Sequence, residues 1–294
     1  MEASSVRPKK KPSWLKIKLP SHENFFYVSG LLKKKNLNTI CQSAKCPNMS
    51  ECWAHKTATF LILGDTCTRD CAFCAVKKGT PSPLSREEPD NVAEAIAIMQ
   101  LRYAVITSVT RDDLPDGGAA FFAETLLAVR EKNPEIKLEV LIPDFKGDRD
   151  ALKKVIAVEP DVVNHNIEVP ENLYPKINRP PANYRRSMSV LKHAKELGAA
   201  SKSGIMVGLG EKREDILRAF SDLRAVSCYL LTIGQYLQPT KHNAPVEAYY
   251  TPESFQELKE IAMGYGFRAV ESGPLVRSSY RAHRLYRSLN RGSH

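Results

Sequence analysis

The sequence predicts an α/β protein built of six strand–helix repeats, and three observations carry that prediction. Short β-branched, apolar runs recur along the chain after Thr57. Each is followed by a stretch with the i, i+3/i+4 apolar spacing of an amphipathic helix. Polar clusters follow the runs rather than precede them, as the loops of a parallel sheet do. With 294 residues, of which 43% are hydrophobic and 26% charged, the chain can bury a real core as one domain or just two.

The elements follow in order. Residues 1–57 read as an irregular, basic extension. The expected strands are "ATFLIL" (58–63), "YAVITSV" (103–109), "IKLEVLI" (136–142), "DVVNHNI" (161–167), "SGIMVGL" (203–209) and "YLLTIGQYL" (229–237). The expected helices are "NVAEAIAIMQL", "GGAAFFAETLLAVREK", "DALKKVIAV", "YRRSMSVLKHAKELG", "REDILRAFSDLRA" and "PESFQELKEIAMGYG". Pro252 fits the first turn of the last helix, and Gly198 stands where a C-terminal cap belongs. Periodicity alone leaves a doubly wound sheet and an incomplete (βα) barrel equally open. No G-x-G-x-x-G follows the first strand, which removes the commonest reason to prefer a dinucleotide fold. The clusters "GDTCTRDCAFC", "TSVTRDDLPDGG", "IPDFKGD", "NHNIEV", "GLGE" and "QPTKHN" put the expected chemistry at the C-terminal ends of the strands. Residues 58–270 are expected to form the repeat domain and 271–294 a C-terminal tail.

Composition excludes several classes. No apolar run approaches the ~18–20 residues a membrane helix needs. The N-terminus has basic residues but no apolar h-region, so no secretory signal and a cytoplasmic location are expected. A reducing compartment argues against disulfides. The net charge of +10 gathers in "RPKKKPSWLKIK", "LLKKK" and "RSSYRAHRLYRSLNR", without any helix-turn-helix, zinc-finger or RNA-binding signature. No nucleic-acid partner is expected; the basic ends read as solvated surface or as docking surface for an acidic protein.

Six of seven cysteines fall between Cys41 and Cys74. Cys67, Cys71 and Cys74 form C-x3-C-x2-C after the first strand, a local count of three where zinc usually takes four ligands from paired C-x2-C units. A cubane iron–sulfur cluster on three thiolates would keep one iron open. Cys41, Cys46 and Cys52 form a second triplet, C-x4-C-x5-C, upstream. The remaining cysteine, Cys228, reads as a buried thiol, and His165 as a structural hydrogen-bonder.

C-x3-C-x-aromatic-C, with Phe73 at the aromatic position, resembles the signature of the radical S-adenosylmethionine (SAM) superfamily. The resemblance implies an incomplete (βα)6 TIM-type barrel with N- and C-terminal extensions, a [4Fe–4S] cluster on Cys67, Cys71 and Cys74, and SAM bound at its open iron. By the same likeness Phe73, Gly117, Gly118, Asn166, Glu168 and Met206 are SAM contacts, Met206 standing at an isoleucine position in "GIMVGLGE". The upstream triplet, "TSVTRDDLPDGGA" and "GPLVRSSYRA" resemble the lipoyl synthase family. That likeness implies an auxiliary [4Fe–4S] cluster on Cys41, Cys46, Cys52 and a serine of "RSSY", Ser278 or Ser279, with Ser279 favoured. It further implies insertion of two sulfur atoms at C6 and C8 of an octanoyl-lysine on a lipoyl carrier domain (2-oxoacid dehydrogenase E2 or glycine cleavage H protein). A ferredoxin- or flavodoxin-type electron donor, an iron–sulfur carrier for cluster repair and a monomeric state complete the expectation. Thr110 departs from the family's aspartate or asparagine. The rivals are a methylthiotransferase-like enzyme, which would carry larger flanking domains, and a non-catalytic zinc or electron-transfer protein.

Overall fold

A computed structural model describes residues 11–17 and 19–289. Seven strands, each parallel to the next in chain order, form its sheet: β1 (Thr59–Ile62), β2 (Tyr103–Ser108), β3 (Lys137–Leu141), β4 (Val162–Asn164), β5 (Ser201–Val207), β6 (Leu230–Gln235) and β7 (Ala269–Gly273). An eighth, two-residue strand (Asn38–Thr39) pairs antiparallel with β1 and forms one edge, β7 forming the other. The two edges do not pair, so the fold is the expected incomplete barrel.

The outer helices match the periodic stretches: α1 (Glu88–Met99), α2 (Ala119–Lys132), α3 (Arg149–Ile156), α4 (Ala182–Glu196), α5 (Arg213–Ala225) and α6 (Pro252–Gly264). Their ends carry the expected caps. Asp148 accepts from the amides of Asp150 and Ala151, and Thr251 from that of Ser254 with Pro252 in the first turn. Gly198 follows α4 at φ +88°, where a side chain would be strained. Strand residues are buried on both faces, as a sheet with helices outside requires.

Three features depart from expectation. The N-terminal extension contains a helix, Glu23–Lys34, whose Val28 and Leu32 are buried and whose Phe25 packs on Trp53 with ring centroids 5.1 Å apart. The spacing of Phe25, Val28 and Leu32 marks that face, but the neighbouring exposed Phe26 and Tyr27 blur it. Part of the basic leader, residues 1–10 and Lys18, lies outside the described residues, as do residues 290–294. Second, "AVESG" forms a seventh strand, too short and polar to register as an apolar run. Third, the tail beyond β7 turns into the barrel. Val276 O would stand 2.2 Å from a Cβ at Gly234, and Ser278 Oγ 3.1 Å from one at Gly204. Gly234 makes room for the backbone of the tail and Gly204 for the side chains of Asn166, Thr232 and Ser278. The described residues end in a helix, α7 (Ala282–Leu289).

Candidate active site

Cys67, Cys71 and Cys74 lie on the loop that leaves the C-terminal end of β1. Loops following four other strands pin it. Thr68 donates through its amide and its hydroxyl to Thr110 O, both at 3.0 Å, and its Oγ1 accepts from the Asp112 amide. Thr110 thus serves through its backbone, which any residue provides. Arg69 makes a bidentate pair with Asp112 (2.7 and 2.9 Å) and reaches Asp144 at 2.6 Å. Burial pushes the Asp144 carboxyl up, but Arg69 prevails and holds it well below the usual carboxylate range. The Ala72 amide donates to Ile177 O, and Asn243 Nδ2 to the carbonyls of Ala72 and Cys74. Burial pushes the Cys74 thiol up to about 11, with Cys71 and Cys67 adding to the rise.

Arg179 was not foreseen, a lone arginine in "KINRPP" carrying no signal. Its Nε donates to Cys71 Sγ at 3.3 Å, and its guanidinium stands 5.4 Å from the Phe73 ring centroid. Glu168 lies nearby in a left-handed conformation; burial raises its pKa and Arg179 opposes that rise. The Met206 amide donates to Glu168 O at 2.7 Å, bringing the two together across adjacent strands. Among the described residues nothing bonds to the buried Asn166 Oδ1, an acceptor inside the barrel, while its Nδ2 donates to Ser278 Oγ at 2.6 Å. In "GLGE", Glu211 accepts from the amides of Gly208 and Leu209 and fixes the turn after β5. Gly117 and Gly118 occupy a different setting. They open α2 with φ +63° and +89°, and a Cβ on Gly118 would meet Leu63 at 2.5 Å. It is residues 110–112, not this pair, that bond to the cysteine loop. His165 is held between Ile142 O and Ser187 Oγ, both at 2.9 Å. A carbonyl can only accept, so Nδ1 carries the proton and the ring is structural. Cys228 is buried and free, as are all seven cysteines free of disulfides.

The upstream triplet gathers at the opposite end. A cavity of about 880 Å³ is lined by Cys41, Cys46, Cys52 and Ser279 together with Thr59, Tyr103 and Lys137, the first residues of β1, β2 and β3. The expectation that the chemistry sits at the C-terminal strand ends therefore holds for one triplet only. Burial pushes Cys41 up to about 11, helped by Cys46, and Cys52 up to about 12, helped by Cys41 and Cys46. Thiols that so oppose one another's ionisation need a positive centre to release their protons, and iron is one. Among the described residues no three His, Cys, Asp or Glu side chains close around a single metal ion. A cubane spreads its irons over separate corners and takes a wider thiol set.

The tail closes this end. Asn48 Nδ2 donates to Leu275 O at 2.6 Å, Thr59 Oγ1 to Ser279 Oγ at 2.8 Å, and Tyr280 OH to Glu51 at 2.9 Å, with Arg281 paired to the same carboxylate. From the barrel side, Lys202 Nζ donates to Ser278 O and to Glu139, both at 2.7 Å. Lys202 and Glu139 are fully buried, and Glu139 also accepts from Tyr103 OH and Asn164. Ser279 shares the cavity with the three thiols; Ser278 does not line it and turns to Asn166. Among the described residues no helix is long and apolar enough to cross a membrane.

The comparisons agree with this architecture. The Radical SAM superfamily profile matches residues 61–223. A lipoyl synthase of Rubrobacter xylanophilus is 52% identical over 96% of this chain and 88% of its own length. One of Bacillus cereus is 53% identical over 95% of each. Among solved structures, the [FeFe]-hydrogenase maturase HydG aligns with a TM-score of 0.58 at 12% identity, over 87% of this chain and 57% of its own. Streptococcus suis SuiB bound to S-adenosylmethionine aligns at 0.57, 12% identity, 78% and 55%. These last two speak for the fold alone. Two cysteine triplets at the two ends of an open βα barrel, the superfamily profile over its strands and half-identical relatives over nearly its whole length lead to one assignment: the chain belongs to the lipoyl synthase family of radical SAM enzymes.

Proposed function

We propose that the reaction is divided between the ends of the barrel. Cys67, Cys71 and Cys74 hold the cluster that works with SAM; Cys41, Cys46, Cys52 and Ser279 hold the cluster that donates sulfur. The reaction itself is that of the family: SAM-dependent insertion of two sulfur atoms at C6 and C8 of an octanoyl-lysine on a lipoyl carrier protein, with [4Fe–4S] clusters as cofactors. When bound, SAM and the clusters supply a carbon radical strong enough for unactivated C–H bonds and the sulfide that follows. No side chain could deprotonate such carbons, so the residues of the chain bind, orient and shield.

The observation that carries the division is the shared lining of one cavity by Ser279 and the three upstream thiols. Ser279 would give that cluster one hard oxygen ligand in an otherwise soft thiolate set, the weakest-held of its four protein positions. At the other end Phe73, Gly117, Gly118, Asn166, Glu168 and Met206 are proposed SAM contacts. The free Asn166 Oδ1 and the Glu168 carboxylate supply acceptors for a ribose diol. Residues 1–57, 58–270 and 271–294 serve as donor-ligand extension, barrel and strap. A ferredoxin- or flavodoxin-type donor, an iron–sulfur carrier, an E2 or H-protein substrate, a monomeric state and a cytoplasmic site belong to the same proposal.

Four variants test it. Cys71→Ala should abolish reductive SAM cleavage and keep the donor cluster. Cys46→Ala should still yield 5′-deoxyadenosine but no sulfur-containing product. Ser279→Ala should bind the donor cluster loosely, read by Mössbauer counting of iron sites, and Ser278→Ala should keep it. The same phenotype for Cys71→Ala and Cys46→Ala would end the division of roles.

A further inference from the structure

Gly204 is the middle residue of β5, between the two ends of the barrel, and three polar side chains converge over it. A Cβ there would stand 2.7 Å from Asn166 Oδ1, 2.8 Å from Thr232 Oγ1 and 3.1 Å from Ser278 Oγ. The Thr232 hydroxyl donates to Ser203 O. Asn166 Nδ2 donates to Ser278 Oγ at 2.6 Å, which turns the amide so that Oδ1 is the atom left over. A buried acceptor without a donor is costly, and a ligand hydroxyl that reaches it removes that cost. The backbone of Ser278 faces the strap. Its carbonyl accepts from the fully buried Lys202 at 2.7 Å, and the next residue, Ser279, accepts from Thr59 in the donor cavity at 2.8 Å. Ser278 thus meets the proposed SAM contact with its side chain and the donor end with its backbone.

We propose that Ser278 is a positioning residue that couples the two ends. With a SAM ribose on Asn166 the strap tightens, and the strap in turn holds Asn166 ready for SAM. The proposal rests on the readings of Asn166 as a SAM contact and of Ser279 as a donor-cluster ligand. Two steps carry it. The Ser278 bond fixes the amide in advance, so little freedom is lost there on binding. A hydroxyl donating to Oδ1 polarises the amide and makes Nδ2 the stronger donor to Ser278. A coupling free energy is reciprocal, so whatever SAM adds to the strap the strap adds to SAM. The strap, and Ser279 with it, is held most firmly while a radical can be formed. It is freer once the products of SAM have left.

The test uses the full-length holoenzyme with both clusters, without reductant or octanoylated carrier, so that no turnover occurs. Its readout is hydrogen exchange of residues 275–281, where the Val276 amide donates to Gly273 O and the Tyr280 amide to Arg277 O. In the wild type, saturating SAM should slow that exchange about fivefold. Saturating methionine, which lacks the ribose, should leave it unchanged. Ser278→Ala should raise the Kd for SAM about fivefold by calorimetry and abolish the SAM-dependent part of the protection. Its Mössbauer spectrum should still show both clusters. Wild-type exchange that ignores SAM would overturn the proposal, as would equal protection by methionine. So would a Ser278→Ala chain whose strap loosens equally with and without SAM at an unchanged Kd, the mark of a purely structural contact. Failure of the underlying readings looks different: an unchanged Kd for SAM in Asn166→Ala, or a fully retained donor cluster in Ser279→Ala.

Discussion

At the C-terminal end of the barrel three cysteines come from eight consecutive residues, on a loop pinned by hydrogen bonds from four neighbouring loops and by the ion pair of Arg69 with the buried Asp144. At the N-terminal end the proposed ligands come from the extension before β1 and from the tail beyond β7, and one wall of the site is a strap threaded into the barrel. Taken as chain closures alone, joining Cys41 to Ser279 costs about 3 kcal/mol more than joining Cys67 to Cys74, since the cost grows with the logarithm of loop length. On the proposed division the contrast has a reason. The end proposed to generate the radical would be reused in every turnover and is built locally; the end proposed to donate sulfur would be dismantled and is walled by a segment distant in the chain.

The largest expected effect strikes the strap at its buried anchor. Lys202→Met leaves Glu139 buried and unpaired and frees Ser278 O, and breaking such a pair costs about 3–5 kcal/mol. Urea unfolding should register that loss. Adding Glu139→Gln should recover part of the stability, because the neutral amide removes the unpaired buried charge while keeping an acceptor for Asn164 Nδ2 and a donor for the Tyr103 hydroxyl. It should not restore the tail, which still lacks its Ser278 contact. SAM cleavage should survive in the double variant while sulfur insertion and hydrogen-exchange protection of residues 275–281 fall. If sulfur insertion returned with stability, Lys202 would be a stabilising residue and nothing more.

A smaller effect comes from filling the space the strap occupies. Gly234→Ala would put a Cβ 2.2 Å from Val276 O, a backbone atom that cannot swing aside. Overpacking of this kind costs about 1–3 kcal/mol, and here it should be relieved by moving the tail out of the barrel. The expected outcome is uncoupling: normal 5′-deoxyadenosine, little sulfur-containing product and weaker retention of donor iron. Gly264→Ala, at the end of α6 with nothing within 4 Å of the added carbon, is the matched control and should leave both ends intact.

The same contrast explains what the sequence made legible. Cysteine spacing shows the end proposed to generate the radical because its three thiols are neighbours in the chain, and six strands show because their apolar runs are local. The strap does not show. Glu139 reads as an interruption of "IKLEVLI" and Lys202 as a polar strand start, and nothing local says that they meet across three strands. Asn48, Glu51 and Arg179 are likewise ordinary loop or helix residues until the tail or the cysteine loop arrives beside them. Gly204 and Gly234 did carry a usable sign, since glycine inside a strand often marks close approach of another backbone. That sign tells that something comes near, not which segment.

The smallest effect separates the two ends by pH. His165 sits under the C-terminal end, buried between Ile142 O and Ser187, and burial lowers its pKa below the ordinary value of about 6.5. The folded chain therefore binds fewer protons at this site than the unfolded chain, and stability rises with pH there. The contribution is full above about pH 6.5 and is lost as pH falls from there through the depressed folded value. Asp144 adds a loss of the same sign further down, below about pH 4, as its Arg69 pair is protonated away. Glu88 and Glu168 act oppositely, because burial raises their pKa and the folded chain takes up their protons first. The wild-type curve alone thus mixes signs, and a difference curve is needed. His165→Gln keeps an amide donor for Ile142 O and an acceptor for Ser187 without a titrating ring. The stability of wild type minus variant should fall as pH drops from about 6.5 toward 5, and hydrogen exchange should place that loss in α4 and the loops beyond β3 and β4. The strap and the upstream triplet should keep their protection over the same range. A difference curve flat in pH would show that His165 does not titrate on unfolding as its burial requires. Equal loosening at residues 275–281 would show that the two ends unfold as one unit, and that the strap is not the separable wall of the donor site.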